Sequence, residues 1–222
     1  MTAHNSRDAG MVSNSNIRIH GAAESTFSEE RLVDTTDLRY SVFSVPSRPS
    51  CIGILRDRLM SSFDEFGITT DLGRMQTCMA LEESLANAFY HGNLELDSAL
   101  KEDGSDRFSK LAIERSQKSP WRDRRVTVSE LATPFGIWIT ICDEGNGFDI
   151  AAALKKTEDP MSILASGRGL VMMKAFTDEL IFNNTGNEVT LVIYHNRNED
   201  IAELLKERAK SRCLNDEHRS TL

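Results

Sequence analysis

Glu83-Ser-Leu-Ala-Asn87-Ala-Phe-Tyr-His91-Gly92 closes a segment whose apolar residues recur at helical steps, and the fold is read outward from it. Leu72, Met75, Met79, Leu85 and Phe89 mark one helix, starting after the cap-like Asp71 and stopping at His91–Gly92. Met75 and Met79 are expected in its buried face. Upstream, Ile52, Leu55, Leu59, Phe63 and Phe66 describe a second amphipathic helix, from Ser50 to a stop at Gly67. Before it, Leu38–Val45 carries Tyr40, Val42 and Val45 among strand formers, and Pro46 and Pro49 end the run. Downstream, Arg125–Leu131 and Gly136–Asp143 are strand-like and separated by Thr133–Pro134, which predicts an antiparallel pair. A Gly-rich turn (Gly145, Gly147) and a loop to Ser166 follow, then a helix from about Gly169 to Phe176. A hairpin of Leu180–Asn183 and Glu188–Tyr194, turning at Asn184-Thr-Gly-Asn187, completes the pattern. Short turns between neighbouring strands exclude a doubly wound parallel sheet. They predict an α/β (α+β) two-layer sandwich: a mixed, mostly antiparallel sheet with helices on one face.

The 222 residues suffice for one domain with tails. With 40% hydrophobic and 27% charged residues the chain reads as a soluble globular protein. Its net charge of −8 argues against a direct nucleic-acid partner held by bulk electrostatics. No apolar run approaches the roughly 18–20 residues that span a bilayer, and the polar N-terminus lacks a signal core. Cys51, Cys78, Cys142 and Cys213 form no CxxC pair, so they are expected as reduced thiols in the cytoplasm. Residues 1–37 are rich in Ser, Asn, Thr and Glu and are expected to be a disordered arm. The domain should then run over 38–195, interrupted by an irregular insertion at 95–123. That insertion begins acidic, but Arg107–Arg125 carries seven Lys/Arg against two acidic residues. The tail, 196–222, is charged and expected to be helical over Glu199–Arg212.

Three segments carry chemistry. Glu83, Asn87 and His91 are four apart and so project from one side of a helix. An Asn oxygen is a hard ligand suited to Mg²⁺, and a carboxylate one turn earlier can deprotonate a nucleophile. An ordinary solvated helix face explains the same residues, and Glu82 is an adjacent decoy that the spacing disfavours. Asp143-Glu-Gly-Asn-Gly-Phe148 ends an apolar strand; a carboxylate there can accept from an exocyclic amine such as adenine N6. The alternatives are a plain turn or a calcium loop, the latter poor because Gly stands where oxygen ligands are needed. Ser166-Gly-Arg-Gly-Leu170 precedes a helix, where free amides and Arg168 suit an anion. It is neither a P-loop nor a dinucleotide fingerprint, and a flexible helix start is its plain reading.

In this order the segments resemble the N, G1 and G2 boxes of the GHKL (Bergerat-fold) ATPases, with Asp178 completing the last. The Asn-Ala-x-x-His-Gly ending, and an Asp eight residues after Leu170, are most similar to the anti-sigma factor serine/threonine kinases. The resemblance covers about Leu38–Tyr194 outside the insertion. It implies a histidine kinase-like ATPase domain with ATP and Mg²⁺ as cofactors. Asp143 would contact adenine, Asn87 would hold Mg²⁺, and Glu83 would be the general base. Gly145, Gly147, Gly167 and Gly169 would contact ribose and phosphates through their backbone, with Arg168 adding its charge. Residues 149–166 would form a lid over the nucleotide. Asn187 stands where the family often carries Thr beside the adenine, and can replace its hydrogen bond.

The function so implied is a regulatory serine/threonine protein kinase of the partner-switching type. It would phosphorylate a STAS-class antagonist and sequester a sigma factor or similar regulator, with no membrane partner; the resemblance also implies a homodimer. The alternative is a catalytically silent ATP-binding module that switches protein partners by nucleotide state. His4 and His20 sit in no helical periodicity, which disfavours a sensor histidine kinase, and the 28 residues after Tyr194 leave no large coupling domain. His91 suits a helix C-terminus for its dipole alone and is left out of the catalytic set.

Overall fold

The computed structural model describes residues 13–17, 27–34, 38–68, 71–101, 106–157 and 168–195. Seven strands are β1 (Ser13–Ile17), β2 (Phe27–Asp34), β3 (Arg39–Pro46), β4 (Arg125–Thr133), β5 (Gly136–Cys142), β6 (Glu179–Phe182) and β7 (Glu188–Tyr194). They form one sheet in the order β1-β2-β3-β4-β5-β7-β6. Every pairing is antiparallel, so the sheet is not mixed among the described strands. Its centre brings together distant parts of the chain, with Phe43 opposite Val128 and Ile139 opposite Leu191.

Helices α1 (Ser50–Phe66) and α2 (Asp71–Ala86) cover one face, and α2 also packs against α5 (Arg168–Phe176). The predicted stripe on α1 is real: Leu55, Leu59 and Phe63 are buried against Phe43, Val128 and Ile139, while Ile52 and Phe66 lie at the margin. Truncating Leu55 to Ala would cost about 3 kcal/mol through lost burial and the cavity left behind. On α2 the register differs from expectation. Met75 is 56% exposed, and the buried positions are Thr77, Ala80, Leu81, Ser84 and Leu85. This helix must face α1, the sheet and α5 together, so its buried face turns away from the stripe of largest side chains.

Three further expectations are corrected. The N-terminal arm, expected without regular structure, contains β1 and β2, which extend the sheet beyond β3. Strand pairing is made by main-chain bonds, which a composition poor in aliphatics does not forbid. The insertion is also regular. It holds a short 3₁₀ turn (Ser98–Lys101), α3 (Arg107–Ser116) and a second 3₁₀ turn (Trp121–Asp123). Leu94, Leu96, Phe108 and Ala112 give it a small core of its own, flanked by Tyr90, Leu100, Leu111 and Trp121. Finally, the stretch after Phe148, expected as a loop, begins as a helix, α4 (Ile150–Lys156), capped by Asp149 Oδ1 accepting from the Ala152 amide at 2.9 Å. The 196–222 tail lies outside the described residues. No helix among those described is long and apolar enough to cross a membrane. Cys51, Cys78 and Cys142 are free thiols, each with its pKa pushed up chiefly by burial.

Candidate active site

Beyond Ala86 the second helix does not continue as an α-helix. Asn87–Asn93 forms a π-helical turn, with the Leu94 amide bonding back to the Phe89 carbonyl at 3.0 Å. Such wide turns are rare and are frequently found at functional sites. Here the turn forms one wall of a cavity of about 920 Å³, whose other walls are the end of β5, the start of α5 and the β6–β7 hairpin. That volume lies within the range of small-molecule sites. Glu83, Asn87 and His91 all face the cavity from the first wall, as their spacing predicts. Glu82 does not; it is ion-paired with Arg56 on α1. Ile141, Phe182 and Val189 supply an apolar lining suited to a flat ring.

Asp143 sits at the mouth of β5, only 8% exposed. Its Oδ1 accepts from the Gly145 amide at 2.8 Å. Burial pushes its pKa up to about 6, against the opposing pull of the Gly145 N–H and of Arg124. Gly92 makes this placement feasible, because a Cβ there would overlap the Asp143 carboxyl group. Gly147 has φ +71°, and a Cβ on it would run into the Thr185 carbonyl, so the turn after β5 and the β6–β7 hairpin meet only with glycine there.

Asn187 fixes the same strand end. Its Nδ2 donates to the Asp143 carbonyl at 3.0 Å, and its own carbonyl accepts from the Asp143 amide at 2.9 Å. The Asn187 Oδ1 accepts from Asn183 Nδ2, so this side chain works by holding Asp143. Across the cavity, Glu83 Oε2 lies 2.5 Å from where a Cβ on Gly169 would stand. The carboxylate therefore touches the first turn of α5. Arg168, the first residue of that helix, also lines the cavity. Ser84 Oγ is 2.8 Å from Met173 Sδ, and Asn87 Nδ2 is 4.0 Å from the same sulfur, which seats α5 on α2.

The structure thus gathers Glu83, Asn87, Asp143, Gly147, Arg168, Gly169 and Asn187 around one cavity. Gly145 does not line it and acts through its amide on Asp143. Gly167 lies outside the described residues. His91 Nδ1 is 2.5 Å from the Leu96 carbonyl, so that nitrogen carries the proton and the ring anchors the start of the insertion.

A residue that the sequence did not announce is Asn93, which is fully buried. Its Nδ2 donates to Ser47 Oγ at 2.7 Å, its Oδ1 accepts from the Glu144 amide at 2.7 Å, and its carbonyl accepts from Arg124 at 2.7 Å. Its side-chain partners lie 46 and 51 positions away, so no local pattern reveals it.

A family model described as the histidine kinase-like ATPase domain matches residues 45–193. The chain belongs to that family. Comparison with curated proteins finds no match. The ATPase domain is an ATP-binding one, and its cavity fits that ligand. A buried acceptor beside an apolar slot suits an amino-substituted base, and the start of α5 with Arg168 suits phosphates. The histidine kinase-like match ends one residue before the end of β7, and begins within β3, so β1 and β2 stand outside it.

Proposed function

We propose that this ATPase domain is a regulatory serine/threonine protein kinase of the anti-sigma factor, partner-switching type. It transfers the γ-phosphoryl group of ATP to a serine of a STAS-class antagonist, and it sequesters a sigma factor or similar regulator. The observation that supports this reading is Glu83, a carboxylate in the cavity at the first turn of α5, the end suited to phosphates. Placed there, Glu83 accepts the proton of the serine hydroxyl as its oxygen bonds to the γ-phosphorus. The bond from that phosphorus to the β–γ bridging oxygen breaks, and ADP leaves. Amides at the start of α5 and Arg168 balance the charge on the moving phosphoryl oxygens.

Asn87 is the residue that would hold Mg²⁺. With its Nδ2 toward Met173, its oxygen is the atom left for the cavity. No group of three or more His, Cys, Asp or Glu among the described residues could hold a metal ion by itself. That suits Mg²⁺, which usually binds through few protein ligands together with substrate phosphates. The ion would supply neutralisation of phosphate charge.

The test is incubation with γ-labelled ATP, Mg²⁺ and purified STAS-domain proteins, with Glu83→Gln and Asn87→Ala as controls. Label on a serine that is lost in both variants supports the kinase. A protein that binds ATP but transfers nothing to any of them is instead a nucleotide-gated binding module.

A further inference from the structure

The insertion carries a second surface, independent of the ATP cavity. Its helix α3 is held firmly from within. Phe108 and Ala112 pack on Leu94 and Leu96, and the Tyr90 and Phe108 rings stand 5.1 Å apart. The Arg115 guanidinium lies 4.7 Å over the Trp121 ring and donates to the carbonyls of Leu94 and Glu95, both at 2.7 Å. Trp121 Nε1 in turn donates to Glu95 at 3.0 Å.

What α3 presents outward differs in kind. Ile113 is 56% exposed. Between its side of α3 and the start of α1 opens a groove of about 510 Å³, lined by Ile113, Gln117, Pro49, Ser50, Arg48 and Arg122. Pro49 and Ile113 are its apolar part, and two guanidinium groups stand beside them. Arg48 has no carboxylate partner among the described residues, and Arg122 is paired on the surface with its neighbour Asp123 at 3.1 Å. The 17-residue helix α1 begins in this groove with no side-chain cap, adding its positive end. Residues 107–125 hold seven Lys/Arg and two acidic residues, in a chain with 34 acidic residues to 26 basic ones. Of those seven, Arg122 lines the groove, and Arg48 brings a second guanidinium to it from the start of α1.

We propose that this groove docks an acidic segment of a partner protein, with one apolar side chain seated on Ile113 and Pro49 and carboxylates paired to Arg48 and Arg122. Charge complementarity selects the partner, and the apolar seat distinguishes it from a polyanion. A nucleic acid fits less well. The chain as a whole carries a net charge of −8, and the aromatic face beside the groove, Trp121, is already covered on one side by Arg115.

The test uses the full chain and a fluorescein-labelled peptide of Glu residues around two Leu, read by anisotropy at moderate salt. The same peptide with Ser for Leu, and a labelled single-stranded oligonucleotide of equal charge, serve as comparisons. Saturable binding is expected, weakened about tenfold or more by Arg48→Glu with Arg122→Glu, and similarly by Ile113→Asp. The Ser peptide should bind at least about fivefold more weakly than the Leu one. All three positions lie outside the ATP cavity, so ATP affinity and melting temperature should match wild type. The proposal is overturned by absent binding, by binding indifferent to these substitutions, or by an oligonucleotide that binds as tightly and responds to them equally. None of these outcomes depends on whether the domain is a kinase.

Discussion

Replacing Asp143 with Asn separates what the carboxylate offers a ligand from what it costs the fold. Burial raises its pKa from the ordinary 3.8 to about 6. A folded-state value above the unfolded one means that the folded chain binds more protons between these two pH values. Stability contributed by this group is therefore greatest at low pH and falls as pH rises through that window. Relative to a group that stays uncharged, Asp143 therefore lowers stability by about 3 kcal/mol at pH 7.5, where it is ionised, and by about 1.5 kcal/mol at pH 5, where most of it is protonated in the folded chain. Asn has nearly the same shape, and its Oδ1 can still accept the Gly145 amide. It has no charge to desolvate. Asp143→Asn should therefore be more stable than wild type at pH 7.5 by up to about 3 kcal/mol, with the gap halving near pH 5. ATP affinity should fall at the same time, because the amide replaces one acceptor oxygen with a donor. Urea unfolding of the nucleotide-free proteins at both pH values, followed by circular dichroism, measures the gap; titration calorimetry measures the affinity. A gap that ignores pH, or widens toward pH 5, would refute the reasoning, as would a variant less stable than wild type at pH 7.5.

Three other substitutions probe the surroundings. Gly92→Ala forces a methyl group into the Asp143 carboxyl group; we expect a loss of about 1–3 kcal/mol in chemical unfolding and at least tenfold weaker ATP binding. Unchanged ATP affinity would mean that the carboxyl group moves freely, against the packing described. Asn93→Ala strands the Glu144 amide and removes the bond to Ser47, which should cost about 2–4 kcal/mol. A loss below about 1 kcal/mol would show that water replaces the side chain without penalty. Trp121→Leu removes the stack under Arg115 and the bond to Glu95. Amide exchange should then accelerate across 107–116 while the sheet stays protected, and uniform acceleration would deny the insertion its own core.

Much of the layout could be read in the sequence because it is local. The α1 stripe, its stop at Gly67 and the β6–β7 hairpin each follow from residues within a few positions of one another. The site residues were legible for a different reason. Glu83, Asn87 and Asp143 belong to segments whose order resembles a family, and spacing alone does not bring residue 87 to residue 143. What escaped reading depends on distant or main-chain contacts. Asn93 is held by side-chain partners 46 and 51 positions away. The core of the insertion draws on Leu94, Leu96, Phe108 and Ala112, too scattered to show a period. The π turn leaves no mark, since Asn87–Asn93 has the composition of an ordinary helix end. Met75 misled because size and spacing say nothing about how many neighbours a helix must face.

The insertion has a consequence for how the chain folds. The central strands join late-arriving partners: Arg125 Nε, at the start of β4, meets Ser44 Oγ of β3 across 81 positions. Distant pairings of this kind slow folding, because a long loop must close before any contact rewards it. The bonds that secure the insertion are shorter in range, at 21, 26 and 31 positions. Once formed, they place Asn93 beside Arg124, which leads directly into β4. A preassembled insertion thus takes about thirty residues of slack out of the search that pairs β3 with β4. Loosening it should be felt first in the refolding rate, and only second in the equilibrium.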